Sequence, residues 1–327
     1  SLGMKYAILN SLKAEPVVSG QALARRLGIS RAAVSKHIKQ LRRQGYEIAS
    51  APRRGYSLES VPDRLLADEI RQGLKTRVLG QNMVSLEAVS STQDHARELS
   101  FKGCPAGTVV VAETQTRGRG RIGRQWVSPE GGLYFSVLLR PGITMAEAAQ
   151  IPLVAGIALA RAMERHAPAA PRLKWPNDVL LGQRKTAGIL AEIRGEMDFL
   201  DWLILGIGVN VAASPSLFPP DIRRTSTSLS EDAGTPVNRL SLLRDILYHL
   251  ENILEAYEAE GFPYFRDEWK RRSDSLGRNV RVASGRQSLE GRAVDIDSEG
   301  ALILDPGGGS PRRITSGDIL FMDKPHA

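Results

Sequence analysis

Along the first sixty residues the apolar positions recur at intervals of three and four. Ala7, Ile8 and Leu12 share a helical face, and Pro16 ends that run. "SGQALARRLGIS" predicts a second helix, capped by Ser19 and stopped by Gly28. "SRAAVSKHIKQLRRQGYEI" predicts a third, with Ser30 as N-cap, Val34, Ile38 and Leu41 on one face, and Gly45 at its close. Helices joined by so short a turn, residues 28–30, are a helix-turn-helix signature. The period then shortens. "YEIASAPRRGYSL" reads as two brief strands around "PRRG", a basic hairpin.

"ESVPDRLLADEIRQGLKT" predicts a connecting segment and a helix. Strands and helices alternate over the next 200 residues or so. "GTVVVAETQ" and "GGLYFSVLLR" are strand runs bounded by glycine, and "TMAEAAQIPLVAGIALARAMERH" predicts one long helix opened by a capping box from Thr144 to Glu147. "TAGILAEIRG" and "DWLILGIGVNV" are strands with glycine inside, where another group approaches the backbone. This is the pattern of an α/β domain with one mixed sheet. A last helix, "LSLLRDILYHLENILEAYEAEG", closes it. From "VRVASG" onward, turn signals every eight to ten residues predict a small β-barrel. The expected domains are 4–60, 61–275 and 276–327, an α+β multidomain chain. "SLG" before Met4 reads as an expression remnant outside the fold.

Charge sharpens this division. The first 58 residues hold eleven Lys and Arg against Glu15 and Glu47, and the other 269 hold 33 against 34, so the whole net charge of +8 sits in the first sixth of the chain. That suits a nucleic-acid-binding module on a near-neutral body. The third helix displays Arg31, Ser35, Lys36, Lys39 and Arg42. With Ser30 at its start, Arg31, Ala32, Ser35 and Lys36 are expected nearest the base edges, and Arg53 and Arg54 on the hairpin nearest phosphates. One cysteine, Cys104, leaves no internal disulfide and fits a reducing cytosol. No apolar run is read as crossing a bilayer.

Four segments of the body carry candidate chemistry. "TRGRGRIGRQW", residues 116–126, lies between two strands; its glycines let the backbone approach a ligand, and its arginines present forked donors for carboxylate or phosphate. Such a loop is expected to be loose until an anion fills it. "LKWPNDVLLGQRKTAGIL" sets a proline turn before Lys185, which alone would read as a surface lysine. "SSTQDH" offers Ser91 and Thr92 as ligand hydroxyls, or equally Thr92 as a helix cap. "GIGVN" places Gly206 and Gly208 in a strand and Asn210 at its end. "SPSLFPPDIRRTSTS" adds a second mobile loop, with Phe218 or Leu217 as a ligand cover or as core anchors.

Together these strings resemble the biotin–protein ligases. With a winged helix in front, the chain is similar to the bifunctional type, which is also the biotin operon repressor. The resemblance implies a winged helix-turn-helix, a ligase domain and an SH3-like C-terminal barrel. It places Ser91, Thr92, Gln93 and Gln115 along biotin, with Trp126 and Gly188 beside them and Gly118, Arg119, Gly120 and Arg121 folded over it. It sets Lys185 between the biotin carboxylate and the α-phosphate, and Lys174, Asn177, Asp178 and Asn210 around ATP and Mg2+. Lys185, Arg119 and Arg121 are the expected catalytic groups, with no protein-held metal cluster. Implied partners are the biotin carrier domain of acetyl-CoA carboxylase, operator DNA and a second copy of the chain, in the cytoplasm. Where well-known bifunctional members carry a further arginine, this chain has Ile122, in a loop that borders their dimer contact. A ligase without repressor activity, a non-catalytic sensor and a lipoate ligase are the alternatives.

Overall fold

The computed structural model describes residues 2–196, 199–213, 215–285 and 287–323. They divide into two compact units, Ser1–Arg64 and Leu65–Ala327. In the first, helices α1 (Leu2–Ala14), α2 (Gly20–Leu27) and α3 (Arg31–Arg43) precede strands β1 (Glu47–Ala51) and β2 (Gly55–Ser60). Leu2 and Gly3, set outside the fold by sequence, lie in α1. Ser19 Oγ accepts from Ala22 N at 3.0 Å, Ser30 Oγ accepts from Ala33 N at 3.1 Å, and Gly28 leaves α2 at φ +66°. Ile8, Leu12, Leu23, Val34, Ile38 and Leu41 are buried. That burial, more than intrinsic helix propensity, holds such short helices. β1 and β2 pair antiparallel around a turn with Arg53 at φ +64°. Ser30, Arg31, Ala32, Lys36, Lys39, Arg53 and Arg54 are exposed and Ser35 is half-buried. Arg42 is exposed as expected and also ties α3 to β1: its Nε and Nη2 donate to Ile48 O at 2.9 and 2.6 Å.

The second unit opens with α4 (Ala67–Arg71), β3 (Met83–Val89), α5 (Thr92–Phe101), β4 (Val109–Gln115) and β5 (Leu133–Leu139). Then come α6 (Met145–Ala148), α7 (Ile151–Met163), β6 (Arg172–Lys174), β7 (Asp178–Leu181), β8 (Arg184–Glu196) and β9 (Phe199–Val209). The capping box at Thr144 and Glu147 is present, but it opens only the short α6. The single long helix expected here is two: Pro152 lies in the first turn of α7 and has no N–H with which to continue a ladder from α6. Residues Met145–Met163 are long and apolar enough to cross a membrane by composition, yet α7 is a core helix, with Val154, Ile157, Ala158 and Met163 inaccessible to solvent.

The sheet runs β3-β4-β5-β9-β8-β7-β6, and β3 with β4 is its parallel pair. Its strands are apolar on both faces. Val109, Val111, Phe135, Val137, Leu203 and Leu205 face α7 and α10 (Arg239–Glu260) in the main core. Val110, Leu138 and Ile204 alternate with them and pack with Ala96 of α5 on the other face. Helices α8 (Pro220–Arg223), α9 (Leu229–Ala233) and α11 (Phe262–Arg272) complete the body. The C-terminal strands β10 (Asn279–Ser284), β11 (Gln287–Ile296), β12 (Leu302–Asp305), β13 (Arg312–Ile314) and β14 (Asp318–Phe321) form an antiparallel sheet in the order β13-β12-β11-β10-β14. It is fastened to the body: Trp175 N donates to Ser275 Oγ at 2.9 Å and Trp175 Nε1 to Gly300 O at 3.1 Å.

Candidate active site

The sheet face under α5 is apolar only where the helix covers it. Toward the helix N-terminus the floor changes to Ser136, Gly188, Gly206 and Gly208, and a cavity of about 340 Å³ opens above it, within the range of small-molecule sites. The glycines are required by what lies on them. A Cβ on Gly188 would stand 2.7 Å from the Trp126 indole, and one on Gly208 would stand 2.5 Å from it. A Cβ on Gly206 would meet Gln93 Oε1 at 2.5 Å. The indole therefore lies flat over two adjacent strands, and any side chain there would evict it.

One end of the cavity is a polar network buried in the sheet. Thr92 N donates to Gln115 Oε1 at 2.8 Å, Ser136 Oγ donates to Gln93 Oε1 at 2.9 Å, and Thr92 Oγ1 and Ser136 Oγ are 2.9 Å apart. Gln115 Nε2 donates to Ser128 Oγ at 2.9 Å, and Gln93 Nε2 to Ile204 O at 3.0 Å. Both amides are thus fixed in orientation. The cap of α5 is Ser91, not Thr92, and its hydroxyl accepts from Gln93 N at 3.2 Å.

The arginine–glycine loop forms the wall. Its cations meet carboxylates of this chain. Arg119 Nη1 lies 2.8 Å from both Asp94 Oδ1 and Glu192 Oε1, and Arg97 Nη2 bridges the same two carboxylates at 2.9 and 2.7 Å. Arg121 Nη1 lies 3.0 Å from Asp318 Oδ1, 3.1 Å from Gly317 O and 3.3 Å from Asn177 Oδ1. Arg124 Nη1 lies 3.1 Å from Asp318 Oδ2. At the loop tip Ile122 is 70% exposed at φ +53°, a conformation rarely taken by a β-branched residue. Gly118 does not line the cavity; its carbonyl accepts from Trp126 N at 2.9 Å and so seats the indole.

Opposite the loop, the Trp175–Pro176 peptide is cis and turns the chain into β7. Lys185 Nζ lies 2.7 Å from Asp178 Oδ1 and 5.3 Å from the centre of the Trp126 ring. Lys174 also lines the cavity; burial, aided by nearby Lys185 and Arg124, holds its ammonium below the usual lysine range. The main chain of Lys185 straps the following loop: its N–H donates to Thr225 O at 2.8 Å and its carbonyl accepts from Thr227 N at 2.9 Å. That loop delivers Phe218 and Ile222 to the cavity, with Phe218 buried and Leu217 54% exposed. Trp126 Nε1 and Asn210 Oδ1 are buried and lack a hydrogen-bond partner among the described residues, so each can meet a ligand without breaking an internal bond.

Ser91, Thr92, Gln93, Gln115, Arg119, Gly120, Arg121, Trp126, Lys174, Asn177, Asp178, Lys185, Gly188 and Asn210 thus come together around one cavity. The residues expected on DNA lie in the other unit. Ser136 and Asp318 were missed; Arg124, one of the loop arginines read as a forked donor, is among the cavity's lining. The signal for Ser136 was present, as the one aliphatic hydroxyl in the run "LYFSVLL". Among the described residues no group of three or more metal-binding side chains occurs.

Residues 85–210 match the biotin/lipoate A/B protein ligase family, 5–57 an HTH domain and 275–322 the biotin protein ligase C-terminal domain. The bifunctional ligase/repressor BirA of Bacillus subtilis is 40% identical over 303 residues, 92% of this chain and 93% of that one. The chain belongs to the bifunctional biotin ligase/repressor family. Its similarity to BirA of Escherichia coli is 33% over 298 residues, covering 89% of this chain and 88% of the other. Among solved structures, biotin protein ligase from Aquifex aeolicus in complex with biotin and ATP has a TM-score of 0.65 at 32% identity, covering 75% of this chain and all of its own. Ligase membership accounts for a cavity rich in cations, since joining two anions needs charge and alignment before it needs a base.

Proposed function

We propose that the cavity joins biotin to ATP and passes the biotinyl group to a lysine of a carrier domain, such as that of acetyl-CoA carboxylase, while the N-terminal unit represses biotin synthesis at an operator. The observation that carries this is the meeting of Arg121, Arg124, Lys174 and Lys185 beside a slot floored by glycine and closed by Trp126. A biotin carboxylate, with a pKa near 4, is already ionised at neutral pH. Its oxygen attacks the α-phosphorus, the bond to pyrophosphate breaks, and biotinyl-5′-AMP forms. The barrier is repulsion between anions, which cations and alignment reduce. In the second half, a carrier lysine attacks the acyl carbon, the bond to AMP breaks, and the amine releases a proton. Asp178 holds the Lys185 ammonium at 2.7 Å, which suits a positioning role.

In the slot, Gln93, Gln115, Thr92 and Ser91 would border the biotin rings and Trp126 would cover them. Asn177, Asn210 and Asp178 would border the nucleotide, with Phe218 and Ile222 against its base. Mg2+ fits this donor set, because it takes one or two protein oxygens beside phosphate and the Asn210 Oδ1 is buried without a hydrogen-bond partner among the described residues. It would neutralise triphosphate charge. Incubation with biotin, ATP and a biotin carrier domain tests the reading. A labelled carrier is expected, and an unlabelled one would leave a sensor in place of an enzyme.

Gly208→Val should weaken biotin binding by roughly 5- to 150-fold, the equivalent of about 1–3 kcal/mol of overpacking. The displaced indole is on the α5 face, so the α7 core stays intact. Calorimetry of biotin binding beside thermal unfolding checks this; unchanged affinity would remove Trp126 from the slot.

Adenylate bound under the loop is expected to strengthen a homodimer, with the exposed Ile122 tip at the contact. Two N-terminal units then read an inverted repeat with half-sites about one helical turn, or a multiple, apart. The coupling should be about 1–3 kcal/mol. Sedimentation and operator binding, each with and without biotin and ATP, check it. Identical results in both conditions would leave a ligase without biotin-sensing repression. We place both activities in the cytoplasm, where Cys104, a free cysteine here, would stay reduced.

A further inference from the structure

The hairpin of the first unit is fastened at both strands, in two different ways. β2 is tied by main chain: Tyr56 N donates to Val18 O at 2.8 Å and Val18 N to Tyr56 O at 2.9 Å. β1 is tied to α3 by a side chain. Arg42 directs Nε and Nη2 onto Ile48 O at 2.9 and 2.6 Å, and Nη2 also donates to Ser50 Oγ at 2.8 Å. The grip falls at an irregular point. Glu47 pairs with Ser60 and Ile48 with Leu58, so Glu59 is an extra residue and the hairpin bulges there. A bulge bends its strand and sharpens the local twist, which sets where the turn points. That turn, between Ala51 and Gly55, carries Arg53 and Arg54, both exposed. A two-stranded hairpin has little stability of its own, so its angle to α3 depends on such ties. The paired edge of the Arg42 guanidinium, the edge suited to phosphate, is spent on them.

Resting on the operator-binding reading of the first unit, we infer that Arg42 is a positioning residue for DNA. It aims the hairpin, and it acts on the duplex through Arg53 and Arg54 and not as a phosphate contact of its own. A helix that reads bases and a hairpin that meets phosphates must fit one duplex together, and Arg42 fixes their offset. The role requires the fork. An ammonium keeps the charge but cannot grip one carbonyl with two coplanar donors.

The test titrates the full chain, with biotin and ATP present, against a duplex that the wild type selects from a random pool, across a range of salt. The variants are Arg42→Lys, Arg42→Ala, Ser50→Ala, Lys36→Ala and the pair Arg53→Ala with Arg54→Ala; Arg42→Lys and Ser50→Ala are repeated in the last two backgrounds. Arg42→Lys retains the charge, yet it is expected to weaken binding about tenfold, the size of one charge-assisted contact. The slope of log affinity against log salt should become shallower by about 0.9 for each phosphate contact the hairpin gives up. Without Arg53 and Arg54 the same change should cost less than about twofold, because the hairpin has nothing left to aim; beside Lys36→Ala it should keep its full cost. Ser50→Ala leaves α3 and its buried face untouched, and it carries the test if the Arg42 variants fail to fold. It should weaken binding about twofold, a fraction of one neutral hydrogen bond, and only while Arg53 and Arg54 are present. Arg42→Lys that binds like wild type removes the role, and makes Arg42 a phosphate contact if Arg42→Ala binds weakly. Equal losses in both backgrounds would make Arg42 a plain support of the fold. Either result overturns the inference and leaves the operator reading standing. A wild type that selects no duplex fails the operator reading itself.

Discussion

Lys185→Ala will lower the rate of biotinyl-5′-AMP formation by about 100- to 1,000-fold, the usual effect of removing one group aimed at developing charge, and will change biotin affinity far less. The ammonium stands 2.7 Å from Asp178 and above the Trp126 ring at 5.3 Å, between the slot and the arginines. On the proposed reading it faces charge that grows on the α-phosphate as the new bond forms, so its loss would fall on the transition state. The strap to Thr225 and Thr227 is made by main-chain atoms of Lys185, so truncation of the side chain leaves that loop in place. Single-turnover adenylate formation set against calorimetric biotin binding decides the matter. Equal losses in the two would make Lys185 an ordinary ground-state contact.

Arg121→Gly will keep the fold and release the adenylate. Arg121 begins a short turn in the loop, outside both hydrophobic clusters. Its contacts are those on Nη1, to Asp318, Gly317 and Asn177. Losing a charged hydrogen-bond donor to phosphate costs roughly 1.5–3 kcal/mol, or about 10- to 150-fold in retention. A mixed anhydride that escapes acylates whatever amine it meets. Spread of biotin label onto bystander proteins is the readout, and a variant that labels only the carrier would remove Arg121 from adenylate retention.

The parts of this structure that were legible in sequence are those specified over a few residues. Ser19, Ser30 and the pair Thr144 and Glu147 announced their caps, because a cap is a contact across three residues. The charge imbalance marked the N-terminal unit without any knowledge of its packing. Glycines within strands marked the cavity floor, although the group pressing on them, Trp126, is remote in sequence from Gly188 and Gly208. What stayed hidden is non-local. The sheet order depends on which strand edges meet, and alternation along one strand carries no such information. The partners of the arginine loop come from α5, β8 and β14, and Asp318 stands 197 residues from Arg121. Composition gave that loop its cations but none of the carboxylates they meet. Likewise Pro152 was present in the string read as one helix, but the apolar periodicity on either side outweighed it.

The division of the chain at Arg64 has a meaning for how such a regulator changes over time. Every residue around the cavity lies between Ser91 and Asp318, in the second unit, and every residue expected on DNA lies in the first. Drift in the recognition helix can therefore rewrite which genes answer to biotin without altering a single contact in the pocket that measures it. Vitamin chemistry and promoter choice are inherited on one chain, yet each is open to selection separately.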